Sequence, residues 1–318
     1  MGIITRNEPL TICAVYHSPA TQALLERNVM CTAAMNPGYE IRWLAADNTP
    51  GGGVVSLGDS VAVVKGAPLP AGVPSWAKGS YHHAAGITLL LPHIRTRFAL
   101  ILDVDYFIVR PRWAETILLY MKEKHLALFG SPYHPRDYGN YRYFPCAYCL
   151  FVDGTKIDFS GLDFSPRMET GEGSSRLKRF LRKTLPSAVV GQRYFIGASK
   201  DTGYEIYRRY AHDASVNIEV VTPVWEPRRS VFEYLLPERF CLVPKRKDSM
   251  SSQHFSLLGH TDLDGLGWEE YVWKGKPFSF HVRSGTTKMR DNTTEKIAFL
   301  DRILAEFRSA PDNGFVGK

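Results

Sequence analysis

Cysteine is scarce in this sequence, with only Cys13, Cys31, Cys146, Cys149 and Cys241 among 318 residues. A scattered set of odd number does not make a disulfide framework. Cys146 and Cys149 form a C-x-x-C within FPCAYCLFV, but a zinc ribbon needs a second such pair and the sequence has none. These thiols read as ordinary buried core. Long apolar runs are missing too: ITLLLPHI and FALILDVDYFIV fall short of the ~18–20 apolar residues that span a bilayer. The opening residues, MGIITRNEPL, carry neither the basic nor the apolar region of an export signal, so a cytoplasmic protein is expected. There is no internal repeat, no low-complexity tract, and no RNA-recognition, zinc-finger or helix-turn-helix signature, which argues against nucleic acid as a partner. The net charge of +7 nevertheless suits an anionic ligand.

What is there fits a globular α/β chain. Leu10 to Tyr16 (LTICAVY) is a strand candidate ending at a His-Ser-Pro turn. Thr21 to Met35 follows as a helix, with Ala23, Leu24, Arg27 and Met30–Cys31 at helical spacing and Pro37-Gly38 as its stop. Glu40 to Ala46 is a second strand running into Asp47-Asn48. Residues 48 to 74 read as a loop with one short strand, and Trp76 to Leu91 as a helix ended by Pro92. Further strand candidates are Phe98 to Leu102, Leu126 to Phe129 and Ala147 to Val152, with helices near 114–124 and over Tyr204 to Tyr210. Strands alternating with helices imply βαβ units and a mostly parallel sheet. Beyond Ser160 comes the glycine-rich METGEGSS, then a basic stretch with Leu177, Phe180, Leu181 and Leu185 on one helical face. Such a helix packs on the core or lies on an anionic membrane surface, such as the inner face of the cell membrane. The remainder reads as short strands and loops.

The strongest local feature is Leu100-Ile-Leu-Asp103-Val-Asp105. Phe98 to Leu102 is wholly apolar, the pattern of a strand covered on both faces. Alternation along a strand would project Asp103 and Asp105 to the same side, just past its carboxyl end. In open α/β sheets that is where ligands bind. Two carboxylates side by side repel each other unless a cation compensates, and a hard divalent ion that also holds phosphate oxygens fits.

The stretch Gly79 to Val109, GSYHHAAGITLLLPHIRTRFALILDVDYFIV, resembles the core signature of the GT-A glycosyltransferases: a helix with an H/N-x-x-G-like pattern, then a strand ending in a D-x-D motif. The first two strands, ending at Tyr16-His17 and Asp47, extend the likeness to about a third of the chain. The resemblance implies a single GT-A domain over 1–318, with a Rossmann-like sheet. Residues 1–152 would bind the nucleotide sugar, and 153–318 would shape the acceptor site. It implies Mn2+ or Mg2+ on Asp105, with Asp103 sharing the metal or touching the ribose. Asp47 would contact base or ribose, Tyr16 and His17 would line the base pocket, and Lys78, His82 and His83 would flank the diphosphate. The donor would be a nucleoside-diphosphate sugar, a UDP-sugar being favoured, and the acceptor a hydroxyl. Pro277 to Arg283 (PFSFHVR) alternates, so His281 and Arg283 share its polar face. By the family pattern His281 would be the third metal ligand, with Arg283 and Lys288 on the leaving diphosphate. An inverting enzyme also needs a carboxylate base. Asp201, just ahead of a helix, is the best match, although aspartate there is also the ordinary capping residue; Asp153 and Glu233 are weaker alternatives. A sugar-phosphate nucleotidyltransferase would share the architecture, but LTICAVYHSPAT lacks the Gly-rich loop ending in Arg and Lys expected of one.

Overall fold

The computed structural model describes residues 8–51, 60–66, 73, 78–135, 141, 143–167, 201–225, 268–282 and 293–309. Arg283, Lys288, Glu233 and the basic stretch 176–185 lie outside them. Strand β1 (Leu10–Tyr16) is buried along its whole length, as an apolar strand covered on both faces must be. Helix α1 (Pro19–Met35) begins two residues before the expected Thr21. Pro19 occupies the first helical turn, where its missing N–H costs nothing, and Ser18 and Thr21 cap each other reciprocally. Proline here opens the helix rather than closing a turn. Then come β2 (Ile41–Asp47), β3 (Val61–Lys65), α2 (Lys78–Leu90), β4 (Phe98–Leu102), β5 (Tyr106–Ile108) and α3 (Trp113–Glu123). They are followed by β6 (Leu128–Pro132), β7 (Pro145–Asp153), α4 (Tyr204–Tyr210), β8 (Ile218–Val220), β9 (Thr222–Pro223), β10 (Glu269–Trp273), β11 (Lys276–His281) and α5 (Thr293–Ser309).

The main sheet runs β3-β2-β1-β4-β7-β6-β8. It is the mostly parallel sheet that the alternation of strands and helices implies. Only β7 is reversed, antiparallel to both β4 and β6. A second, antiparallel sheet runs β5-β11-β10-β9. It starts from the chain segment directly after β4, so it is built onto the carboxyl end of the strand that carries the aspartates.

Two expectations are corrected. Residues 293–309 are a helix, not short strands and loops. Leu300, Ile303, Leu304 and Phe307 are buried at helical spacing, and Asp301 pairs with Arg27 of α1 at 2.7 Å. The alternation in PFSFHV does not separate a buried face from a solvated one, because Ser279 and His281 are buried as deeply as the phenylalanines around them. The polar face is satisfied internally instead: the Ser279 hydroxyl meets the Tyr106 phenol, which also meets Ser131. Among the described residues, no helix is long and apolar enough to cross a membrane.

Candidate active site

β4 ends at Leu102, and Asp103-Val104-Asp105 is a turn rather than a continuation of the strand. The turn is closed by the Tyr106 N–H donating to the Asp103 carbonyl at 3.0 Å. It is also held from below by Asn28, a buried residue of α1 whose amide donates to the carbonyls of Tyr106 (2.7 Å) and Val104 (3.4 Å). The two carboxylates converge because the chain turns between them, not because of strand alternation. Sequence reasoning missed Asn28; an amide among the residues at helical spacing with Leu24, Cys31 and Met35 was its only signal.

The second sheet brings in the remote histidine. β11 pairs with β5 so that His281 stands opposite Tyr106, and the Val282 N–H donates to the Asp105 carbonyl at 2.8 Å. His281 Nε2 then lies 3.2 Å from Asp105 Oδ1, while its Nδ1 lies 3.2 Å from Glu269 Oε2. One ligand atom from each of Asp103, Asp105 and His281 falls within 4.8 Å of the others. Two carboxylates and an imidazole are donors suited to Mn2+ or Mg2+. Asp103 also takes a 2.8 Å contact from His83 Nε2 of α2. Burial disfavours charge on both imidazoles, but the carboxylates outweigh it, so the pKa of His83 is raised and that of His281 lies well above the usual histidine range.

These residues open onto a cleft of about 660 Å3. Its lining includes the nitrogen-bearing His17, Lys78, His82 and His83, together with Asp201, Thr202, Tyr133 and Tyr148. Burial is the larger cause that lowers the pKa of His17 and of His82, with His83 pushing His17 down and His17 and Lys78 pushing His82 down. Nδ1 of His82 is buried with no hydrogen-bond partner among the described residues. Asp201 does not cap α4. The N-cap is Gly203, at φ +82°, and the Asp201 carboxylate accepts from the Thr202 N–H at 2.7 Å. The Thr202 hydroxyl donates to the Ser80 carbonyl at 3.1 Å, tying this segment to α2.

Not every candidate joins the cleft. Tyr16 and Asp47 pair across β1 and β2, are each 1% exposed, and do not line it. The base or ribose contact expected of them is not made from the cleft lining, where neither side chain is exposed. Asp47 is engaged locally, accepting from the Thr49 N–H at 2.8 Å and lying 3.8 Å from Lys65 Nζ. Burial and the Asp47 charge push the Tyr16 phenol up to about 12. Asp153 is removed from consideration as a base: it pairs with Phe98 at the opposite end of β4 and is bound by Arg97 at 2.8 Å.

Comparison with protein-family models gives no match, and no curated protein matches the sequence. Among solved structures, the chain is similar to the mannosyltransferase PcManGT from Pyrobaculum calidifontis in complex with GDP-Man and Mn2+. The two share 11% identity over 51% of this chain and 48% of that one, at a TM-score of 0.37. It is also similar to the galactosyltransferase LgtC with donor and acceptor sugar analogs (16%, 48% and 62%, TM-score 0.34). A third is S. aureus TarS in complex with UDP-GlcNAc (10%, 52% and 50%, TM-score 0.35). The chain spans less than two thirds of each of these proteins, and the chemistry of the site stands on its own residues.

Proposed function

We propose that this protein is a metal-dependent glycosyltransferase of the GT-A type, a single domain that moves a sugar from a nucleoside-diphosphate sugar to a hydroxyl acceptor. The observation that carries this reading is the convergence of Asp103, Asp105 and His281 in one cleft that Lys78, His82 and His17 also line. Asp105 and His281 would hold the cation, with Asp103 beside them, anchored by His83. A bound Mn2+ or Mg2+ supplies positive charge to the diphosphate oxygens as the sugar–phosphate bond breaks.

The residues of the chain do the rest. Lys78 supplies a further positive charge to the departing nucleoside diphosphate, with His82 beside it in the cleft lining. His17 lines the same cleft and would face the base of the nucleotide. In an inverting transfer Asp201, which lines the same cleft, accepts the proton of the acceptor hydroxyl as that oxygen attacks the anomeric carbon. The nucleotide is favoured as uridine by the sequence resemblance. The work is mostly positioning and charge neutralisation.

Thermal unfolding with Mn2+ and UDP tests this. A ligand at 100 times its Kd stabilises by about 2.7 kcal/mol. The wild type is expected to gain stability from Mn2+ and UDP together, and Asp105→Asn to lose that gain while folding normally. No gain in the wild type with any nucleoside diphosphate would overturn the reading.

A further inference from the structure

The metal cluster includes His281, and the group that controls His281 is Glu269. No sequence pattern singles out this residue. It stands opposite His281 in the β10–β11 register and is completely buried. Its Oε2 lies 3.2 Å from His281 Nδ1, and the same oxygen accepts from the Tyr271 phenol at 3.3 Å. Tyr271 in turn is 2.7 Å from the phenol of Tyr148, which lines the cleft. A continuous polar chain therefore runs from Tyr148 through Tyr271, Glu269 and His281 to Asp105.

We infer that Glu269 is a positioning residue for the cation, acting through His281. An imidazole can ligate through either nitrogen, and the hydrogen bond on one decides the availability of the other. With Nδ1–H donating to Glu269, Nε2 is the nitrogen that faces Asp105, and a cation bound there takes the place of the proton that Nε2 shares with the carboxylate. The ring is also held against rotation, since it is packed by Tyr106 and Tyr148 with centroids 5.6 and 4.7 Å away. Tyr271 keeps the carboxylate in place from the other side. Outer carboxylates of this kind raise the basicity of a ligating histidine, and losing one typically costs 10–100-fold in metal affinity.

The inference rests on the metal reading above, and one titration separates the two. Free Mn2+ is followed by electron paramagnetic resonance as it is titrated into wild type, Glu269→Ala, Glu269→Gln and Tyr271→Phe, each with UDP present and with circular dichroism as the fold control. Glu269→Ala is expected to bind Mn2+ about 10–100-fold more weakly. Glu269→Gln keeps an oxygen for the Nδ1–H and is expected to recover part of that loss. Tyr271→Phe is expected to show a smaller loss than Glu269→Ala. If Glu269→Ala does not fold, Glu269→Gln decides. Binding within threefold of wild type for every folded Glu269 variant would overturn the role of Glu269 while leaving the metal site standing. A wild type that binds no Mn2+ would overturn the metal reading itself, and this inference with it.

Discussion

Gly86 offers a sharp test of how the cleft is assembled. It lies on the face of α2 that packs against β1, three residues after His83. A methyl group placed on it would sit 2.7 and 2.8 Å from the two γ-carbons of Val15, and 3.0 Å from the Asn48 side-chain nitrogen. The closest of these is about 0.7 Å short of an ordinary 3.4 Å contact. Rotating Val15 does not help, because both γ-carbons are already too near. Asn48 is not free to retreat either, since its amide donates to the His82 carbonyl at 2.7 Å. Gly86→Ala must therefore lift α2 by several tenths of an ångström. Overpacking of this kind costs about 1–3 kcal/mol, and the helix-propensity gain of about 1 kcal/mol offsets part or all of it, for a net loss of about 0–2 kcal/mol. The larger effect falls on the site, because α2 carries His83, whose 2.8 Å contact with Asp103 would lengthen towards 3.5 Å or break. Urea unfolding measures the first effect and a Mn2+–UDP titration the second. Val15→Ala removes both γ-carbons, so Val15→Ala/Gly86→Ala should show a favourable coupling and recover ligand binding. Gly86→Ala with raised stability and unchanged ligand affinity would refute the argument, since propensity alone would then be acting.

Two further predictions concern the site and its support. Asp201→Asn keeps an oxygen for the Thr202 N–H, so it should fold and bind Mn2+ and UDP like wild type while kcat falls by about 10²–10⁴; a kcat within threefold of wild type removes Asp201 as the base. At the far end of β4, burial pushes the Asp153 carboxyl up, but the Arg97 and Thr155 hydrogen bonds prevail and its pKa is lowered below 3.8. A depressed folded pKa gives stability that is present above the unfolded value and lost as pH falls through the folded one. Arg97→Met should therefore cost about 2–3 kcal/mol at pH 7, at the low end for a buried pair because Arg97 is 32% exposed. The difference from wild type should shrink below about pH 4. Urea unfolding at pH 7 and pH 3 checks this, and a pH-independent difference would show that packing of the arginine stem is responsible.

Much of the fold was legible because strong local signals agreed with the tertiary outcome. LTICAVY and FALIL are apolar on both faces, which only a central strand can satisfy, and α4 runs from Tyr204 to Tyr210 as its pattern suggested. The helix at 293–309 also left a trace, in the spacing of Leu300, Ile303, Leu304 and Phe307. Its polar face dilutes that signal, and only packing against α1 shows which face is buried. The start of α3 was legible to within one residue, at about Ala114 against Trp113, but what caps it was not. Arg112 enters it at φ +52° with no side-chain cap of its own, and the Ala114 N–H is capped instead by Asn36 at 2.9 Å, from the end of α1.

By itself the sequence determined the parallel-sheet class, the carboxyl-end location of Asp103 and Asp105, and the chemical character of the candidates. Those properties depend on composition and spacing along a single segment. Tertiary structure alone decided which candidates meet. Asp103 and Asp105 converge through a turn pinned by Asn28, from 75 residues earlier. His281 reaches Asp105 across 176 residues because β11 pairs with β5. Glu269 has no meaning until β10 sets it opposite His281, and Tyr16 and Asp47 turn out to be buried and are not among the residues lining the cleft. Pairing between distant strands is set by the burial of whole sheets, and no local stretch of sequence records it.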